Sequence, residues 1–161
     1  MHMRNQEERH FGVKMELQEG FRFISQAYEG DRLHGAPFAS DEPDPIGEAA
    51  APSTPALLAS AVGHCLAASL TEICRHAAMP LRAMAVDAVS VVAPNEEDLP
   101  RIRRIDVTLT PTLTQSQSDT MKQRCEMSFR KYCTVCSSLE GAIDVQVRVQ
   151  WQLERVASTI V

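Results

Sequence analysis

The chain has 161 residues, enough for one domain with a real core and too few to expect two independent ones. With 44% hydrophobic, 23% charged and only 5% aromatic residues, its composition is globular rather than disordered, and aliphatic side chains must fill the interior. A net charge of -5 provides no positive field for phosphate backbones or anionic lipid, so no nucleic-acid partner is expected.

The first ten residues are polar and charged and read as a frayed terminus. They lack the apolar stretch of a signal peptide, and no apolar run reaches the roughly 18 to 20 residues of a membrane span. A cytoplasmic location with no membrane partner is therefore expected. Val13, Met15 and Leu17 alternate with Lys14 and Glu16 as in a half-buried strand, and Glu19-Gly20 turns the chain into a second strand over Phe21 to Ala27. A third, short strand is expected near Arg32 and Leu33.

Residues 35–55 are rich in Pro, Gly, Ala and acid and predict a long acidic loop or lid. A loop of that length inside a compact domain is uncommon unless it covers a site or a partner surface. Ser53 or Thr54 then caps a helix with Pro55 in its first turn, and Ala56 to Ala78 holds no internal proline. Leu57, Leu58, Ala61, Val62, Leu66, Leu70 and Ile73 make this helix apolar nearly all round, so it should be the buried centre of the domain. One thin sheet cannot cover such a helix in a chain this small, which favours dimerisation.

Pro80 ends the helix. Leu81 to Ala93 and the segment carrying Ile102, Ile105, Val107 and Leu109 predict an antiparallel hairpin around the turn 94–100. Ser116 or Ser118 caps a second, amphipathic helix with Met121, Cys125, Phe129, Tyr132 and Cys133 on one stripe. After Gly141, the alternation of Ile143, Val145, Val147, Val149 and Trp151 with polar residues is the cleanest strand pattern in the chain. Strands, helix, hairpin, helix and strand in this order give an α+β fold with an antiparallel sheet.

Five cysteines, an odd number in a chain without an expected export signal, argue for mostly reduced thiols. A cysteine in an apolar helix is more often a small buried hydrophobe than a reactive group, and Cys74 and Cys125 are read that way. Cys65 follows Gly63-His64, where a missing side chain lets another segment approach closely. The Cys133-Thr-Val-Cys136 spacing fits a redox dithiol or half of a zinc site. No second such pair exists to complete a zinc site, and a position at the end of a helix offers no helix N-terminus to activate a thiol.

Pro55-Ala56-Leu57-Leu58-Ala59-Ser60-Ala61-Val62-Gly63-His64-Cys65-Leu66, followed about seventy residues later by Tyr132-Cys133-Thr134-Val135-Cys136-Ser137-Ser138-Leu139, resembles the OsmC/Ohr family over roughly residues 13–153. In that family the first cysteine lies in a buried central helix and the second in a Cys-Pro-Val-Ser type segment ending a later helix. The resemblance implies an OsmC-like α+β fold, antiparallel sheets wrapped around the central helix, built as an intertwined homodimer. It implies an antioxidant enzyme of oxidative stress that reduces organic hydroperoxides through a Cys65 sulfenic acid, resolved by Cys133 as a disulfide. No cofactor and no metal is implied, and the partners are the peroxide and an external dithiol reductant, in this family typically lipoyl-linked.

The family's glutamate, nine or ten residues before the first cysteine, falls here on Ala56 or Pro55. Arg22 and Arg32 are the candidates for its arginine, His64 is an accessory candidate adjacent to Cys65, and Cys136 is an alternative resolving thiol or disulfide shuttle. The missing glutamate supports an alternative function, a weakly catalytic relative that senses oxidants or binds a small apolar ligand.

Overall fold

The computed structural model describes residues 8–154, which form two compact units, one ending at Leu57 and the other beginning at Leu58. The expected frayed terminus lies mostly outside these residues. Of its described part, Arg9 pairs with Glu29, and the Gly30 amide donates to the His10 carbonyl at 3.1 Å.

In the first unit, β1 (Phe11–Glu19), β2 (Arg22–Glu29) and β3 (Arg32–Ser40) form an antiparallel sheet in sequence order. Gly20 and Gly30 take the left-handed conformation in the two turns (φ 54° and 56°), which favours glycine there. The third strand is nine residues long, not the short one expected. Gly35 and Pro37 argued against a strand, but β3 is an edge strand, where a missing N–H is tolerated, and the register shifts opposite them between Ser25 and Ala27. The expected loop 35–55 accordingly shrinks to the segment between Ser40 and Thr54.

That segment is ordered around one buried carboxylate. Asp41 accepts hydrogen bonds from the backbone amides of Glu42 (2.8 Å), Ala50 (3.1 Å) and Glu48 (3.3 Å). Gly47 lies so close to the Glu42 carbonyl that an added Cβ would sit 2.3 Å from its oxygen. On the sheet, Val13, Met15, Leu17 and Phe38 remain substantially exposed, as does Phe11 at 68%.

Helix α1 (Thr54–His76) begins in the first unit and continues into the second. Ala59, Val62, Gly63, Leu66, Leu70 and Cys74 are its buried residues, a stripe at helical spacing. Ser60, Ala61, His64, Ala68 and Thr71 are exposed, so one stripe is covered where burial all round was expected. Contrary to the expectation from sequence, α1 is long and apolar enough by length and composition to cross a membrane, because only small or weakly polar residues interrupt its apolar run. Core helices pass the same test, and this stripe is packed in the core cluster.

The stripe meets β4 (Leu81–Pro94) and β5 (Pro100–Leu113), the expected antiparallel hairpin. Alternate residues Ile105, Val107, Leu109, Pro111 and Leu113 of β5 are all buried. A register shift between Val91 and Val92 explains why the apolar phase steps from Ile102 to Ile105. At Gly63 the helix comes so near the sheet that an added Cβ would lie 3.0 Å from Val86 Cγ1 and 3.1 Å from Ala88 Cβ. This is the close approach that Gly63 was expected to permit.

Ser118 caps α2 (Asp119–Phe129), its hydroxyl accepting from the Met121 amide at 3.3 Å. A 3-10 turn (Arg130–Tyr132) and a short helix, α3 (Thr134–Leu139), follow. These helices form a crossover, so β6 (Asp144–Val149) and β7 (Gln152–Leu153) join β5 parallel, an exception to the antiparallel sheet expected. The α+β class, two sheets and a central helix agree with the expectation.

Candidate functional site

Cys65 lies on the flank of the α1 stripe, one residue before Leu66, and is half-buried. The turn that ends α2 swings the chain so that Cys133 is fully buried at its foot, inside the core cluster. Cys133 closes the 3-10 turn, so it ends one helical segment, as its sequence position suggested, and also begins another. It is the N-cap of α3, and its sulfur accepts the Cys136 amide at 3.4 Å. The cap brings Cys136, itself half-buried, onto the same side as Cys133.

The Cys65 and Cys136 thiols both lie beside the Cys133 thiol, near enough to shift its ionisation. Burial pushes the Cys133 thiol well above its ordinary range; the Cys136 amide works against this, and the two neighbouring thiols add to it. Cys136 is also raised, first by burial, while the Cys133 hydrogen bond and the Arg130 guanidinium act in the opposite direction. None of the five cysteines is joined in a disulfide in this structure.

Beside Cys136 opens a cavity of about 750 Å³, lined by Arg130, Lys131, Ser137, Glu140 and Ile143 among others. Arg130 is held there by donating to the Val145 carbonyl at 2.9 Å. Sequence reasoning overlooked this arginine. It precedes Cys136 by six residues across a helix break, a separation that helical periodicity does not bring together.

The accessory candidates divide. Cys136 joins the pair. His64 is exposed on α1, about 100° around the helix from Cys65. Arg22 and Arg32 are exposed in the first unit, opposite Glu19 and Glu29, and so stand at opposite ends of β2. They cannot together serve one thiol. Among the described residues, no group of three or more His, Cys, Asp or Glu side chains is arranged to hold a metal ion.

A second sulfur cluster lies elsewhere in the unit. Cys125 of α2 is 3.5 Å from the Met79 sulfur, with the Cys74 thiol of α1 beside it. Both cysteines are buried, and burial, followed by the charge and hydrogen bond of Cys125, pushes Cys74 up to about 12.

Comparison with solved structures supports the same architecture. An OsmC-like protein of unknown function from Vibrio cholerae superposes with a TM-score of 0.69 at 11% identity, covering 90% of this chain and 100% of that one. A putative osmotic stress induced and detoxification response protein from Psychrobacter arcticus gives 0.68 at 19% identity, covering 86% and 94%. The organic hydroperoxide resistance protein of Bacillus subtilis gives 0.58 at 15% identity, covering 88% and 98%. No curated protein sequence matches the chain. The sequence model of the family described as OsmC-like protein matches residues 47–148, which include all three clustered cysteines and both helices that carry them. The chain belongs to the OsmC-like protein family.

Proposed function

We propose that this protein reduces organic hydroperoxides, with Cys65 as the attacking thiol and Cys133 as the resolving one. The observation that carries the reading is the proximity of the Cys65 and Cys133 thiols, brought together in one core cluster from two elements far apart in sequence. The Cys65 thiolate attacks the O–O bond; the bond breaks, the alcohol leaves with a proton, and Cys65 becomes a sulfenic acid. Cys133 then attacks that sulfur, water departs, and a disulfide forms before further oxidation. An external dithiol restores both thiols by exchange, becoming a disulfide itself. Leu58, Leu66 and the rest of the apolar stripe near Cys65 suit an organic peroxide better than hydrogen peroxide.

The reading places the protein in the cytoplasm, where a dithiol pool keeps such cysteines reduced. It also has a homodimer as the working form. The exposed apolar side chains of β1 and β3, Val13, Met15, Leu17 and Phe38 among them, support this, since a contiguous apolar face of that kind normally meets another surface.

A second reading is an oxidant sensor. The raised Cys133 and Cys136 thiols favour it, because a resolving cysteine that stays protonated reacts slowly and lets the sulfenic acid persist. Cumene hydroperoxide consumption with a dithiol reductant separates the two. Multiple turnovers in the wild type, lost in Cys65→Ser and leading to over-oxidised Cys65 in Cys133→Ser, are expected of the peroxidase. A single oxidation without turnover identifies the sensor, and equal turnover in Cys65→Ser removes that residue from the mechanism.

A further inference from the structure

Cys133 has a thiol neighbour on each side, Cys65 from α1 and Cys136 from its own helix. The three differ in exposure. Cys133 is sealed in the core, whereas Cys136 is half-buried and lines the 750 Å³ cavity with Arg130 and Lys131. Only Thr134 and Val135 separate Cys133 from Cys136, and the 3.4 Å contact from the Cys136 amide to the Cys133 sulfur fixes the two in register. Exchange between them is intramolecular, and a preset geometry of this kind gives an effective concentration no free thiol reaches.

Building on the peroxidase reading, we propose that Cys136 is a third redox thiol: it takes the disulfide over from the Cys65–Cys133 pair and presents it at the cavity to the reducing dithiol. Cys136 gives up its proton to water in the cavity, and its thiolate attacks the Cys133 sulfur. The Cys65–Cys133 bond breaks, Cys65 leaves as a thiolate, and the Cys133–Cys136 bond forms. This step is an exchange with no net oxidation; the hydroperoxide supplied the two oxidising equivalents, and the external dithiol later removes them. Burial raises the Cys136 thiol, and the nearby Arg130 guanidinium offsets part of that rise and so favours the thiolate that begins the exchange. The outcome frees Cys65, the thiol that must meet the next peroxide, before any reductant has bound.

The test is disulfide mapping after one equivalent of cumene hydroperoxide, with acid quenching, alkylation of free thiols, trypsin digestion and mass spectrometry. The peptide Tyr132–Arg148 holds both Cys133 and Cys136. In the wild type it should end unalkylated and lighter by two hydrogens, with Cys65 alkylated; in Cys136→Ser a cross-link between Cys65 and Cys133 should accumulate and persist. A wild type that stops at the Cys65–Cys133 cross-link, with Cys136 fully alkylated, overturns the relay and leaves the peroxidase reading standing. Formation of the Cys133–Cys136 bond to the same extent in Cys65→Ser overturns it as well, because the bond then owes nothing to Cys65. In Cys136→Ser, where the relay cannot free Cys65, a Cys65 that stays a thiol with neither cross-link nor sulfenic acid sinks the peroxidase reading itself and the relay with it. Should a variant fail to fold, a quench time course of the wild type decides the matter: the Cys65–Cys133 cross-link must appear before the Cys133–Cys136 bond, and a Cys133–Cys136 bond that forms without it overturns the relay.

Discussion

The second unit holds two clusters of sulfur that differ in what surrounds them. Cys74, Cys125 and Met79 meet near the C-terminal end of α1, whereas Cys65 is at its middle, and all three side chains are buried. Cys65, Cys133 and Cys136 also lie close together, but two of the three are only half-buried, and an arginine-lined cavity reaches Cys136. Proximity of thiols is thus common to both, and access and a cation distinguish them. The first cluster behaves as packing; the second has what exchange chemistry needs.

The sharpest way to break this contrast is alkylation of the native protein under non-denaturing conditions. Cys136 and Cys65 should react directly, while Cys74 and Cys125 wait for an opening of the fold and should be slower by roughly 10³ or more. Comparable rates at all sites, read by mass spectrometry over time, would remove the distinction. Next in size is the response to an oxygen-for-sulfur change. Cys125→Ser puts a hydroxyl among buried apolar and thiol groups and should cost about 1–3 kcal/mol in urea denaturation, whereas Cys136→Ser, beside the cavity, should stay within about 0.5 kcal/mol.

The smallest effect is on the alkaline limb. A thiol raised on folding stabilises the native state fully below its unfolded value and loses that contribution as pH rises toward the folded one. With Cys74 at about 12 against an ordinary 9.0, thermal stability should fall between these limits, and Cys74→Ala should flatten the decline relative to Cys136→Ala. An identical alkaline profile in both variants would show that the buried cluster does not titrate as its surroundings dictate.

How much of this was legible in the sequence depended on length and periodicity. The central helix, the long hairpin and α2 declare themselves because each repeats its apolar pattern over many residues. The α3 helix does not, since Thr134–Leu139 is too short to show a period, and a cysteine is not among the usual cap signals. Hence the Cys133-x-x-Cys136 unit was read only as ending a helix when it also starts one. β3 was hidden by Gly35 and Pro37, whose penalty an edge position removes. Cys65 and Cys133 stood out through the resemblance of their flanking motifs, while Arg130 reaches Cys136 through tertiary packing that no spacing rule encodes.

The segment after β3 has a further consequence. By composition, Glu42 to Ala50 is a run of acids, prolines and small residues with little to bury, the kind of stretch proteases cut first. Yet the Asp41 carboxylate gathers amides from Glu42, Glu48 and Ala50, and so ties a ring in the chain without a covalent bond. Ring closure of this sort removes conformations from the segment much as a cross-link does, at a cost that grows only slowly with ring size. With backbone bonds such as that from the Ala49 amide to the Glu42 carbonyl (3.1 Å), this side chain supplies order that neither a hydrophobic core nor a strand ladder gives the stretch.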